Sequence, residues 1–209
     1  MDRRFALFGE GEPHAVEVVN GVVHCACDRC GEWRRFLRGP CEREPPSQPV
    51  YEVITAELIA GLTSWLQLEQ QKVGYSRPLR VVEVGAGSGK LTHCLRQSLV
   101  DKAETIELLA TDSFARGITP VAGAEVHPLD YKTALQSLSP DIVLCCWLPL
   151  GQDWTADIRA CCSVLSYVLI GEIDDGCCGR PWATWGYVAG ECTARCRLIE
   201  RLFSDMLHV

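Results

Sequence analysis

The chain has 209 residues, of which 47% are hydrophobic and 22% charged, and its formal net charge is −7. That length and balance fit one α/β domain with a sizeable core and a short appendage, and they exclude global disorder. The acidic balance argues against a nucleic-acid partner, because such affinity rests on neutralising phosphates with Lys and Arg; the basic cluster Arg29, Arg34, Arg35 and Arg38 reads as a solvated helix face.

The opening residues, MDRRFALFGEGEPHAV, contain no apolar run of signal-peptide or membrane-span length. The expectation is a soluble cytoplasmic protein with no membrane partner, the nucleus being the alternative. Thirteen cysteines, an odd number, suit a reducing compartment where they act as small hydrophobes. The doublets Cys145-Cys146, Cys161-Cys162 and Cys177-Cys178 are adjacent and therefore poor disulfide partners for each other.

Residues 1–50 lack sustained periodicity and close with GPCEREPPSQP, so they read as a cysteine-containing extension with a Pro-rich linker, and residues 51–209 as the main domain. Within the extension, His24, Cys25, Cys27, Cys30 and Cys41 could furnish tetrahedral zinc ligands. No paired CxxC…CxxC spacing supports this, so no metal is expected, with Cys25, Cys27, Cys30 and Cys41 as the candidates should one bind.

From Tyr51 to Lys72, Ile54, Leu58, Leu62, Trp65 and Leu66 recur at helical spacing and mark one buried stripe. Strand and helix signals then alternate. Leu79 to Val84, Thr105 to Thr111, Glu125 to Leu129, Asp141 to Trp147 and Tyr167 to Glu172 are short apolar strand candidates; Lys90 to Val100, Lys132 to Leu138 and Asp153 to Val164 read as helices between them. Near-continuous apolar strands alternating with helices predict a Rossmann-like, doubly wound, mostly parallel sheet with helices on both faces.

Between the first strand and its helix lies VVEVGAGSGKLT, with Gly85, Gly87 and Gly89 baring the backbone where a ligand over the strand's carboxyl end would approach it. Spacing discriminates among ligands. A Walker loop needs G-x-x-x-x-G-K-[ST], yet Val84 stands five before Gly89 and Leu91 follows Lys90. A dinucleotide fingerprint counted from Gly85 would place its third glycine where Lys90 stands, which weakens that reading.

The pattern E-x-G-x-G-x-G over residues 83–89 resembles the first motif of the class I S-adenosylmethionine-dependent methyltransferases, and the resemblance extends from about Leu79 to Glu172. It implies S-adenosyl-L-methionine as cofactor, with Gly85, Ala86, Gly87, Ser88 and Gly89 forming the turn beneath it. Glu83 would orient the methionine part, Asp112 would hold the ribose hydroxyls, and Asp130 would bond the adenine amino group. A helix N-cap role competes for Asp112 and for Asp130.

In this family the acceptor pocket lies beyond the fourth and fifth strands, here CCWLPLGQDWT and GEIDDGCCGRPWATWG. The first of these lacks the Asn/Asp-Pro-Pro-aromatic motif of enzymes that methylate planar amines, which leaves a small molecule or a protein side chain as the implied acceptor. Trp147, Trp154, Trp182 and Trp185 interleave with Glu172, Asp174 and Asp175, a composition suited to a cationic acceptor or to plain packing. Glu172, Asp174, Asp175 and Trp147 are the catalytic candidates, and Trp147 is also a cofactor-binding candidate. The family's final antiparallel hairpin is expected to be missing or altered here: Cys192, Cys196, Ile199, Phe203 and Met206 fall at helical spacing instead. Two competing functions remain, a non-catalytic cofactor-binding or regulatory protein of the same fold and a nicotinamide-dependent oxidoreductase.

Overall fold

A strand buried on both faces has no room for alternating polar residues, and LRVVEV and IVLCC are such runs. The computed structural model describes residues 3–6, 15–19, 22–23, 51, 54–171 and 178–185. The chain divides into two compact units, Met1–Trp65 and Leu66–Val209.

The first unit holds three strands, β1 (Arg3–Ala6), β2 (Ala15–Val19) and β3 (Val22–Val23), in an antiparallel sheet of that order. Its register pairs Phe5 with Val16 and Val19 with Val22. The absence of long periodicity in residues 1–50 gave no hint of this sheet, because its strands are too short to build a pattern. The local signal was the dipeptide Asn20-Gly21 between two valine-rich pieces. Helix α1 (Ala56–Val73) begins in this unit and ends in the second, and the stripe Ile54, Leu58, Leu62, Trp65 and Leu66 is buried as its spacing requires.

The second unit is built on β4 (Leu79–Val84), β5 (Ile106–Thr111), β6 (Val126–His127), β7 (Ile142–Cys146) and β8 (Ser166–Ile170). Their spatial order is β6-β5-β4-β7-β8, and among the described residues every strand pair of this sheet is parallel. Among the described residues, α2 (Lys90–Ser98), α3 (Tyr131–Leu138) and α4 (Thr155–Ala160) alternate with these strands and α5 (Pro181–Thr184) comes after them.

Strand alternation assigns the faces. Val82 and Val84 join Val143 and Cys145 in one buried cluster with Ala134 and Leu135 of α3 and Ile158 of α4. The neighbouring residue Glu83 points the other way and bonds to Thr92 of α2, so helices cover both faces. Each fully buried Val or Leu in these layers contributes about 2 kcal/mol. The architecture is therefore the doubly wound, Rossmann-like α/β fold that the strand and helix alternation predicts. The stretch from Cys192 to Met206, expected to be helical, lies outside the described residues.

Strand β4 sits centrally because the chain leaves it outward to β5 and β6, then returns to place β7 on its other side. The loops after β4 and β7 thus diverge from one point, the place where sheets of this topology generally hold a ligand. At the opposite, amino end the sheet is closed by charge. Asp141, buried just before β7, accepts from Arg77 at 2.6 and 2.8 Å and from the Arg80 N–H at 2.8 Å. Burial works against this carboxylate's charge, but the Arg77 guanidinium and the Arg80 amide outweigh it and hold the pKa below the usual range.

Candidate functional site

The turn after β4 requires glycine on conformational grounds alone: Gly85, Gly87 and Gly89 have φ values of 67°, 51° and 70°, where a side chain is strained. The Ala86 N–H donates to the Thr111 carbonyl at 2.9 Å, and the Gly89 N–H donates to the Ala86 carbonyl at 2.8 Å, which closes the turn and starts α2. The Ser88 carbonyl accepts from the Val121 N–H at 2.9 Å and ties the turn to the loop before β6.

The space around each glycine is used differently. A Cβ on Gly89 would lie 2.5 Å from Cγ2 of Val126 and 3.3 Å from Cβ of Ala124, so this glycine admits the chain's own packing rather than a ligand. A Cβ on Gly87 would reach Ile118 at an ordinary 3.4 Å. A Cβ on Gly85 would fall 2.9 Å from Cζ3 of Trp154, so an indole ring lies directly over this glycine.

Asp112 follows the carboxyl end of β5 and turns toward the glycine turn. Its Oδ2 accepts from the Gly87 N–H at 2.8 Å and its Oδ1 from the Phe114 N–H at 2.6 Å. The acidic residue and the glycine turn that the sequence singles out are therefore in direct contact. Phe114 bends back at a φ of 55°, which holds its amide on the carboxylate.

Glu83 is buried, and its Oε2 accepts from the Thr92 hydroxyl at 2.6 Å and the Thr92 N–H at 3.1 Å. This fixes the first turns of α2 against β4. Asp130 is exposed and caps α3: Oδ1 accepts from the Lys132 and Thr133 N–H groups at 2.9 and 3.1 Å, and Oδ2 from the Thr133 hydroxyl at 2.7 Å. The Thr133 hydroxyl and amide hold its carboxyl below the usual range. Its carboxylate is thus turned to its own helix, whereas that of Asp112 is turned to the glycine turn.

Across the switch point, Trp147 follows β7 with a φ of 59°, and its N–H donates to the Ile170 carbonyl at 2.7 Å. A bulky residue in this conformation costs on the order of 1–2 kcal/mol, offset here by packing on the central cluster. Trp154 and Trp185 pack on the same cluster, and the Trp185 Nε1–H donates to the Cys178 carbonyl at 3.2 Å; Trp182 is 66% exposed. Three of these four tryptophans are therefore packing residues in part.

The loops carrying them are cross-tied. The Gly151 N–H donates to the Gly179 carbonyl, the Gly179 N–H to the Leu148 carbonyl, and Asp153 accepts from the hydroxyls of Thr155 and Thr184. Glu172, Asp174 and Asp175 lie outside the described residues, as do Cys25, Cys27, Cys30 and Cys41. No cluster of potential metal ligands occurs among the described residues. Of the described cysteines, Cys94, Cys145, Cys146 and Cys178 are buried and unbridged, and burial pushes the Cys145 thiol up, which keeps it protonated.

The sequence reading missed the role of Trp154 with Tyr131. Their rings stack with centroids 4.4 Å apart and planes at 11°, placing the pair at the glycine turn. No spacing in the sequence signals it, since it depends on how the loop after β7 returns beside the loop after β4.

No protein-family model matches the sequence, and no curated protein does. Among solved structures the fold is similar to the SAM dependent methyltransferase from Agrobacterium tumefaciens, at 19% identity and a TM-score of 0.37. The match covers 61% of this chain and 47% of that one, so this chain spans about half the length of that neighbour. Among the described residues no helix is long and apolar enough to cross a membrane.

Proposed function

We propose that the switch point over β4 and β7 binds S-adenosyl-L-methionine and that the protein transfers its methyl group to a small molecule or a protein side chain. The observation that carries this reading is the contact between Asp112 and the Gly87 amide at the strand-order switch. A carboxylate has about four lone-pair directions, so Asp112 can keep its two amide bonds and accept from a ribose diol as well. The donor set therefore fits the cofactor, with Asp112 on the ribose and the turn of Gly85, Ala86, Gly87 and Ser88 beneath it.

Glu83 acts in this reading through Thr92, by fixing the helix that follows the turn, and Asp130 acts by setting the start of α3 beside the adenine end. The bound sulfonium would supply an electrophilic methyl group; the protein's task is to align the acceptor and exclude water. Trp147, at the tip of β7, would flank the acceptor's approach. Glu172, Asp174 and Asp175 remain the proposed proton acceptors, and their amide variants test that role against turnover.

A second reading, a cofactor-fold protein without turnover, is favoured by the indole over Gly85, which fills space a donor would use. Calorimetric titration with S-adenosylhomocysteine and with NAD tests the primary reading. Saturable heat with the former alone is expected, and heat with NAD alone would replace it by the oxidoreductase reading. Methyl release into a panel of acceptors then divides the enzyme from the non-catalytic protein.

A further inference from the structure

An indole over a glycine in a ligand-facing turn uses the missing Cβ for the chain itself. Trp154 does this over Gly85, where Cζ3 and Cη2 lie 2.9 and 3.0 Å from the position of a Cβ. Three contacts hold the ring there. It stacks on Tyr131; its Nε1–H donates to Oε1 of Gln152 at 2.9 Å; and the Tyr131 hydroxyl donates to Oδ2 of Asp157 at 2.8 Å, which fixes the ring beneath it.

Both rings also pack on the central cluster, but these three contacts lie near the surface. Gln152 is exposed, and Trp154 and Tyr131 are half-buried. Trp154 stands immediately before the six-residue α4, whose first turn is anchored by Thr155 on Asp153 rather than by the indole. The ring can therefore leave its seat without unwinding the helix. By contrast Gly89, the third glycine, lies against the β-branched Val126, which cannot swing away without moving strand β6.

Resting on the methyltransferase reading, the geometry points to Trp154 as the residue that controls access to the glycine turn. In the free protein its indole lies over Gly85, and it must part from that seat before a nucleoside with an amino-acid tail can settle there. The chain's own ring competes with the ligand, so apparent affinity is lowered by the fraction of molecules in which the seat is taken. A stacked aromatic pair of this kind is strong enough that its removal raises affinity roughly fivefold.

The test is equilibrium and stopped-flow binding of S-adenosylhomocysteine to the intact chain and to Trp154→Ala, Trp154→Phe and Tyr131→Ala. Trp154→Ala is expected to bind roughly fivefold tighter, with a faster association phase, and Tyr131→Ala to move the same way. Binding to the unaltered chain is expected to change tryptophan emission, and Trp154→Phe to bind with a smaller change. Should Trp154→Ala fail to fold, Tyr131→Ala, which removes the stack and leaves the indole, carries the affinity test.

Binding to Trp154→Ala alone would support the access role in its strongest form. Equal or weaker binding by Trp154→Ala would overturn the access role and leave the cofactor reading standing. No binding by any of the four proteins would overturn the cofactor reading and the access role with it.

Discussion

The two ends of the parallel sheet solve opposite problems. At the amino end, Asp141 has its charge met by Arg77 and by the Arg80 amide, and the buried carboxylate locks β4 beside β7. At the carboxyl end, three glycines, Phe114 and Trp147 all hold positive φ, and the chain covers Gly85 with a half-exposed ring. Of the three non-glycine residues with positive φ among the described residues, Phe114 and Trp147 stand where the loops diverge, and Ser139 stands before the amino end of β7. An end built for stability alone would not retain Trp147 and Phe114 in that conformation.

The largest expected effect sharpens this contrast from within the glycine turn. Gly89→Ala adds a Cβ against Val126 at a φ of 70° and should cost about 3 kcal/mol in denaturant unfolding. Val126→Ala in the same chain should recover only the steric part. If Gly89→Ala proves neutral, the turn has more freedom than the packing around it allows.

At the amino end, Asp141→Ala should cost about 2 kcal/mol, because the Arg80 amide loses a charged acceptor. The Asp141 carboxyl is held below its ordinary value, so its contribution is complete above about pH 4 and fades as pH falls through the folded pKa. Acid unfolding of the unaltered chain should therefore steepen below about pH 4, and that limb should flatten in Asp141→Ala.

Gly85→Ala should cost about 1–2 kcal/mol for its conformation, plus the displacement of Trp154. The displacement part should vanish when Trp154 is also alanine. A double-mutant cycle with no coupling would mean that the indole does not rest on this glycine in solution.

The smallest effect falls on Tyr131. Burial, the bond to Asp157 and the fields of Asp157, Asp130 and Asp153 push its pKa up to about 12. A raised value means its contribution is complete below about pH 10 and is lost as pH rises through about 12. Spectrophotometric titration should show one late-ionising tyrosine that Tyr131→Phe removes. The two ends of the sheet would then fail at opposite ends of the pH scale.

Much of the second unit was legible because its strands announce themselves. Leu79–Val84 emerges with the bounds its apolar run suggests, and the stripe Leu91, Cys94, Leu95 and Leu99 is buried as its period requires. Asp112 was legible as a site residue because it follows a strand in register with the glycine-bearing one. The N-cap reading of Asp130 describes its carboxylate's present bonds, and sequence could not separate that from a ligand role, since the same side chain suits both.

What stayed hidden were contacts between segments far apart in the chain. Nothing in the spacing of Trp154 says that it reaches Gly85, because that contact depends on how the loop after β7 returns across the switch point. The sheet of β1, β2 and β3 escaped for the opposite reason: its strands are too short for a periodic signal, and only Asn20-Gly21 pointed to a hairpin.

The most direct measurement compares S-adenosylhomocysteine binding by the intact chain and by Asp112→Ala, using calorimetry on proteins verified as folded. The account predicts one site per chain, weakened at least about tenfold when the carboxylate is removed. An Asp112→Ala variant that binds as well as its parent, or a ligand taken up by neither the intact chain nor Trp154→Ala, would contradict it.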